Sequence, residues 1–242
     1  MVTRKRSTWF VNPSRAHLAE QVQRFAKRTK RDMLVLDAGA GRSPYKRFFE
    51  HARYEAADFA EVRSMRYASL DYVCDLRDIP VEDERFDRVL FNQVLEHIPD
   101  PSRVLAELFR VLKPGGRIFC TAPLFYPEHQ RPYDYFRFTR FGLRKLFEDA
   151  GFEIVSIRWL EGYFGTVAYQ LVHMYKHLPQ DVGELAPGWR GVPLRLLVGV
   201  TRRFAWLAAG LFARADVRWK YTGSGHPKNY VVIARKPKAA SP

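Results

Sequence analysis

Leu34-Val35-Leu36-Asp37-Ala38-Gly39-Ala40-Gly41 is an apolar run of strand length that ends in an acid and two glycines separated by one residue. In an open parallel sheet, ligands bind beyond the carboxyl ends of the strands, and glycine there lets the backbone approach them closely. The stretch therefore reads as a strand leading into a nucleotide-type loop, with an ordinary tight turn as the alternative. Working outward, Pro13 to Lys30 has Leu18, Val22, Phe25 and Ala26 at helical spacing, with Ser14 placed to cap it. Downstream, Tyr45 to Phe49, Tyr54 to Ala57, Tyr72 to Cys74, Phe86 to Phe91, Val104 to Leu112 and Arg117 to Thr121 alternate strand-like runs with amphipathic helices. That order predicts a mostly parallel sheet covered on both faces. Lys113-Pro114-Gly115-Gly116 predicts a turn from helix into strand. A helix over Phe141 to Ala150, a strand over Phe152 to Trp159 and a late strand over Tyr230 to Ala234 complete the pattern.

The residues after the glycines suggest the ligand. A dinucleotide site wants a third glycine and a pyrophosphate over the helix start, but Ser43 and Pro44 occupy that neighbourhood and Asp37 would repel the phosphates. This argues against an oxidoreductase. S-adenosylmethionine (SAM) carries a sulfonium and an ammonium, so an acid at this strand end attracts it. Asp58 closes the next strand, where a carboxylate can accept the ribose hydroxyls, and Asp75, followed by Leu76, closes another, where it can meet the adenine amino group. Each acid alone also fits a solvated loop; three at successive strand ends suggest one site.

With Asp37-Ala-Gly-Ala-Gly41, Asp75-Leu76, Phe86-Asp87-Arg88-Val89-Leu90-Phe91-Asn92-Gln93-Val94-Leu95-Glu96-His97 and Leu112-Lys-Pro-Gly-Gly116 in this order, the chain resembles the class I SAM-dependent methyltransferases, most closely their type 11 (UbiE/UbiG-like) branch, over Met33 to Trp159. The resemblance implies a Rossmann-like α/β fold with a seven-stranded, mostly parallel sheet and an antiparallel last strand. It also implies that Asp37, Gly39 and Gly41 line the methionine end of SAM, Asp58 the ribose, Asp75 and Leu76 the adenine, and Asn92 with Gln93 the cleft floor. The departure at Ser43-Pro44 leaves the carboxylate end of the cofactor without its usual third glycine.

Methyl transfer from a sulfonium asks the protein mainly to align donor and acceptor, and an oxygen acceptor gains from a base. Ala122 to Thr139, after the fifth strand, gathers His129, Asp134, Tyr133 and Arg137 among aromatics. His129 is the expected base, assisted by Asp134, with Tyr133 shaping the pocket; a purely structural loop is the alternative. His97, just past the fourth strand, is a second catalytic candidate or a packing residue. Asn92-Gln93-Val94-Leu95 stands where exocyclic-amine nucleobase enzymes carry Pro-Pro-aromatic, and Cys120 lies in an apolar strand, which disfavours a thiolate nucleophile. The expected acceptor is a small molecule or a glycan- or lipid-linked group, with oxygen preferred; an RNA methyltransferase or a non-catalytic SAM-binding protein are the alternatives.

The chain has 242 residues, 40 Lys and Arg against 26 Asp and Glu, and a formal charge of +14. That balance favours a polyanionic partner, RNA or lipid. Met1 to Phe10 is basic without a following apolar stretch, so the expected location is cytoplasmic. Two cysteines, Cys74 and Cys120, fit buried thiols rather than a metal knuckle, and no metal is expected. The expected organisation is an N-terminal helical segment (1–31), a SAM-binding core (32–160), a helical basic insertion (161–222), and the last strand with its tail (223–242). Within the insertion, Val192 to Ala213 places Leu197, Val200, Phe204, Leu207 and Leu211 opposite Arg195 and Arg202. The arginines argue against a spanning helix. Residues 190–220 carry seven Lys or Arg and one acid, with Trp189, Trp206 and Trp219 interspersed, which suits a helix at an anionic membrane surface, while a cap whose apolar face packs on Tyr163 to Leu178 is the alternative. Nucleic acid ranks lower, because no RNA-binding signature accompanies the charge.

Overall fold

The computed structural model describes residues 11–61, 66–179, 181–183 and 186–238. The basic stretch Met1–Phe10 and the end of the tail, with the expectations attached to them, lie outside the described residues. The chain divides into two compact units, one of residues 18–160 with 229–242 and one of residues 1–17 with 161–228.

The first unit holds a seven-stranded sheet in the order β3-β2-β1-β4-β5-β7-β6. Its strands are β1 (Leu34–Ala38), β2 (Arg53–Asp58), β3 (Tyr72–Val73), β4 (Phe86–Asn92), β5 (Leu112–Pro123), β6 (Glu153–Trp159) and β7 (Asn229–Arg235). Strands β3-β2-β1-β4-β5 pair in parallel, whereas β7 runs antiparallel to both β5 and β6. All five residues of β1 are buried, as a strand covered on both faces requires. Alternation along β1 then sends Leu34, Leu36 and Ala38 to one core cluster and Val35 to the other.

Helix α2 (Pro101–Val111) faces the larger cluster through Val104, Leu105, Leu108 and Val111 and is capped by Asp100, whose carboxylate accepts from Arg103 N at 3.2 Å. Helix α3 (Arg140–Asp149), capped by Thr139, adds Leu143 and Phe147, and Gly151 at φ +91° ends it. Helix α1 (Pro13–Ala26) covers the opposite face through Leu18, Val22, Phe25 and Ala26. Those four residues pack with the core, so the unit boundary falls inside α1 and not at residue 31.

Several expectations are corrected. Asn12, not Ser14, caps α1: its Oδ1 accepts from Arg15 N at 3.1 Å, because Pro13 takes the first helical position and contributes no N–H. Tyr45 to Phe49 forms only a single 3-10 turn over Lys46–Phe48. Lys113–Gly116 is not a free turn but a bulge within β5. Phe86 pairs with Leu112 and Arg88 with Arg117, while Gly115 N donates to Lys236 O at 2.9 Å.

The second unit is built on α4 (Tyr163–His177) and α5 (Val192–Trp219). The buried side of α5 consists of Ala205, Ala208, Ala209, Gly210, Ala213 and Asp216, and α4 contributes Gly165, Thr166 and Ala168. Small residues thus set the close packing of this helix pair, contrary to the cap reading in which the large apolar face makes that contact. Leu197, Val200, Phe204, Leu207 and Leu211 are 49–63% exposed. Asp216 ties the unit together: its carboxylate accepts from His17 Nε2 at 3.0 Å and from Gly162 N at 3.2 Å.

Leu108 lies fully buried between α2 and the sheet. Leu108→Ala should cost about 2–5 kcal/mol of stability in urea unfolding; a loss under about 1 kcal/mol would show that α2 does not anchor the core.

Candidate functional site

Chain direction makes the site. From β1 the chain winds outward through β2 and β3, then returns to β4 on the other side of β1, so nothing bridges the carboxyl ends of β1 and β4. A cleft with about 230 Å³ of internal space opens there, with Gly39 after β1, Asp58 and Phe59 after β2, and Asp75 and Leu76 after β3 in its wall. Gln93, Val94 and His97, after β4, form another side, and Tyr133 and Tyr135 come from the loop after β5.

Gly39 sits at φ +73°, and a Cβ there would lie 2.3 Å from Val94 Cγ2. Both the left-handed backbone and the contact demand glycine. Gly41, also left-handed at φ +51°, donates its N–H to Asp58 Oδ2 at 2.9 Å, so the loop and the second acid are fixed to one another. Gln93 at φ +54° turns into the cleft while its amide donates to Thr121 Oγ1 at 3.2 Å. Thr121 Oγ1 in turn donates to Asn92 Oδ1 at 3.3 Å. Asn92 thus supports the floor from behind, and Gln93 is the floor.

Asp58, Asp75, Leu76, Gly39 and Gln93 share the cleft. Asp37 does not stand in its wall, because strand alternation sends its side chain to the β1 face where its carboxylate accepts from the Tyr54 hydroxyl. Burial pushes Asp37 up to about 7, against the hydrogen bond from Tyr54 and with Asp58 adding repulsion. Asp75 is held by Arg77, whose Nη2 donates to Oδ2 at 2.6 Å, and this keeps its carboxyl below the ordinary range. Arg77 lines the cleft, as do Phe59, Tyr67 and Tyr135. None of these four was singled out from sequence. An arginine two residues past a strand-end acid was the available signal for Arg77, and the aromatics carried none.

The loop over Ala122 to Thr139 is joined to the turn Leu95–His97. Tyr135 N and Phe136 N donate to Glu96 O at 2.9 and 3.2 Å, and His97 Nδ1 meets the Tyr133 carbonyl. That contact requires the proton on Nδ1, which leaves the Nε2 lone pair of the neutral ring available. Burial lowers the basicity of His97. His129 is outside the cleft wall: its ring stands edge-on to His97 at 4.6 Å, and its Nδ1 is 3.3 Å from Asp134. Asp134 accepts from His129 N and from two guanidinium nitrogens of Arg137 at 2.7 and 2.8 Å, and these bonds hold its carboxyl well below the usual range. Tyr133 packs edge-to-face on Phe59 at 5.6 Å. Cys120 is fully buried in β5, and burial pushes its thiol up, away from thiolate chemistry. Glu96, His97 and His129 bring one carboxylate oxygen and two ring nitrogens within 4.8 Å of one another, a set that can receive a metal ion although none was expected.

Residues 13–157 match a family described as a methyltransferase domain. A demethylmenaquinone methyltransferase of Clavibacter sepedonicus is 40% identical over 114 residues, 42% of this chain and 46% of that protein. A ubiquinone/menaquinone biosynthesis C-methyltransferase of Desulfotalea psychrophila is 40% identical over 81 residues, 31% of this chain and 33% of that protein. The matched stretch thus spans less than half of either relative. The solved 1,6-didemethyltoxoflavin-N1-methyltransferase of Burkholderia thailandensis, with bound S-adenosylhomocysteine, shares the fold at a TM-score of 0.53 and 19% identity, over 93% of this chain and 79% of that one.

Asp37 and Gly39 each lead to a measurable outcome. Native Asp37 keeps its proton up to about pH 7, whereas in the unfolded chain it ionises at about pH 4. The native state therefore binds more protons in between, and stability falls as pH rises through that window. Asp37→Asn should flatten the fall measured by urea unfolding, and an unaltered slope would contradict the assignment. Gly39→Ala should weaken SAM binding in calorimetry by tenfold or more, since it strains the loop and collides with Val94; retained affinity would show that the loop does not shape the site.

Proposed function

The chain belongs to the methyltransferase-domain family, as a class I member of the UbiE-like, type 11 kind, and on that premise we propose that it transfers a methyl group from SAM to the oxygen of a small-molecule or lipid- or glycan-linked acceptor. The observation that carries the reading is the common cleft, at the β1/β4 switch point, of Gly39, Asp58, Asp75, Leu76 and Gln93. Two carboxylates and a glycine loop suit a polyhydroxylated, positively charged adenosyl ligand. Asp58 would take the ribose, Leu76 the adenine face, and Asp75 the adenine edge once it shares itself with Arg77. Asp37, behind the loop, would act on the methionine end through its field. SAM supplies the activated methyl.

Of the two histidines, His97 and not His129 lines the cleft, with an unpartnered Nε2 buried beneath that wall, so the base role expected of His129 moves to His97. An acceptor O–H brought against His97 would give its proton to Nε2 while its oxygen takes the methyl that bound SAM would supply, leaving S-adenosylhomocysteine as the second product. His129, Asp134 and Arg137 hold the loop that carries Tyr133 and Tyr135, and the aromatic wall of Phe59, Tyr67, Tyr133 and Tyr135 favours a flat or apolar acceptor. For the partner surface, the exposed apolar residues of α5 favour peripheral association with an anionic membrane at the cytoplasmic face. By length and composition α5 is apolar enough to span a bilayer, which the sequence reading did not expect; Arg202 and Arg203 near its middle make the interfacial position the cheaper one.

Incubation with SAM and, in parallel, a cell lipid extract, an oligosaccharide pool and bulk tRNA should give a mass gain of one methyl in the lipid or oligosaccharide arm. A gain confined to tRNA overturns the acceptor class, and no heat on titrating SAM overturns the whole reading. His97→Ala should cut turnover by about a hundredfold or more while SAM still binds. Full turnover in that variant removes His97 as the base, and turnover lost to a chelator and restored by added metal reassigns Glu96, His97 and His129 as ligands.

A further inference from the structure

We propose that Arg195, Arg202 and Arg203 hold the phosphate of an anionic membrane lipid while the outward apolar face of α5 enters the same bilayer. The inference rests on the peripheral-membrane part of the proposed function and not on methyl transfer.

A pocket of about 380 Å³ lies where the first turns of α5 meet the end of α4, and Tyr175, Asp181, Gly199 and the three arginines line it. Spacings of four, seven and eight residues put Gly199, Arg202 and Arg203 on the same side of α5 as Arg195. Nothing lies within 4 Å of where a Cβ of Gly199 would be, so the floor between the guanidinium groups is open.

Arg202 is already oriented: its Nη1 donates to Leu178 O at 2.5 Å, and its guanidinium lies 5.0 Å from the centre of the Tyr175 ring. The acid in the lining, Asp181, accepts from Gly183 N at 2.7 Å through Oδ1 and forms no ion pair with these arginines. Among the described residues no carboxylate pairs with Arg195, Arg202 or Arg203, whereas Arg110 and Arg137 elsewhere are paired. Three guanidinium groups in one pocket lining, unpaired with any carboxylate among the described residues, present the forked donor geometry that phosphate oxygens accept.

The adjoining face of α5 says where that phosphate comes from. Leu196, Leu197, Val200, Phe204, Leu207 and Leu211 are 49–65% exposed. Arg203 and Leu196 are seven residues apart, about 20° around the helix, so the pocket borders the apolar strip directly. Trp189 and Trp219, near the two ends of the helix, are 80% and 68% exposed, as side chains suited to the headgroup boundary are. The buried residues of α5 are Ala, Gly and Asp216, and its ring contact with α4 is Phe212 on Phe164, so the strip is not needed for the helix pair. A free phosphate would explain the arginines and leave the strip without a purpose; a lipid explains both.

Flotation of the full chain with phosphatidylcholine vesicles, with and without phosphatidic acid, tests this at constant ionic strength. The unmodified protein should bind the acidic vesicles at least tenfold more tightly than the neutral ones. Arg195→Gln/Arg203→Gln should lose about tenfold or more of that binding. Arg144→Gln/Lys145→Gln on α3, which removes the same charge, should lose no more than about twofold. Leu197→Ser/Phe204→Ser should weaken binding with the charge unchanged, and inorganic phosphate should compete more strongly than chloride. Equal losses in the two charge-removal pairs would reduce the effect to diffuse attraction and overturn the pocket. Unweakened binding by the serine pair would overturn bilayer entry, and stronger binding to bulk tRNA than to acidic vesicles, lost in the arginine pair, would overturn the lipid. SAM calorimetry on the arginine pair should match the unmodified chain; no heat in either would count against methyl transfer and leave the lipid site standing on the vesicle data.

Discussion

The parallel pairing of β1 with β4 is the constraint on which the site depends. The chain leaves β1 toward one edge of the sheet and resumes at β4 toward the other, so no crossover covers the ends of these two strands. The backbone must then turn sharply after each. After β1 it does so at Gly39, left-handed and pressed against Val94; after β4 it does so at Gln93, also left-handed. Because the two turns touch, the glycine loop and the floor of the cleft are one packed object, and the Leu95–His97 turn that carries the histidine is its continuation.

Around this cleft the carboxylates have different physical lives. Asp58 is fastened to the loop by the Gly41 amide. Asp75 shares its charge with Arg77. Asp37 is buried with no cationic partner among the described residues near enough to lower it, so desolvation outweighs the Tyr54 hydrogen bond and its pKa climbs.

The helical unit obeys another rule. Its helices approach through Ala208, Ala209, Gly210, Gly165 and Ala168, and the buried Asp216 carboxylate binds His17 and Gly162. A buried acid left alone would be expensive, so these two donors are what permit it there. With the buried side of α5 made of small residues and one polar hub, whose two donors both go to Asp216 Oδ2, the large apolar side chains of α5 are left for the outside.

By itself the sequence determined the order of strands, the helix faces and the chemistry of the strand ends, because period-two and period-3.6 patterning and glycine's access to positive φ are local properties. The resemblance resting on those motifs also supplied the antiparallel last strand. Only the tertiary structure decided that Asp37 faces away from the cleft, that His97 and not His129 reaches it, that Arg77 answers Asp75, and that the apolar strip of α5 points outward. Each of these depends on which surface a neighbouring element covers: Asp216 looked like one stray acid in a basic stretch until His17, 199 residues earlier, was brought against it.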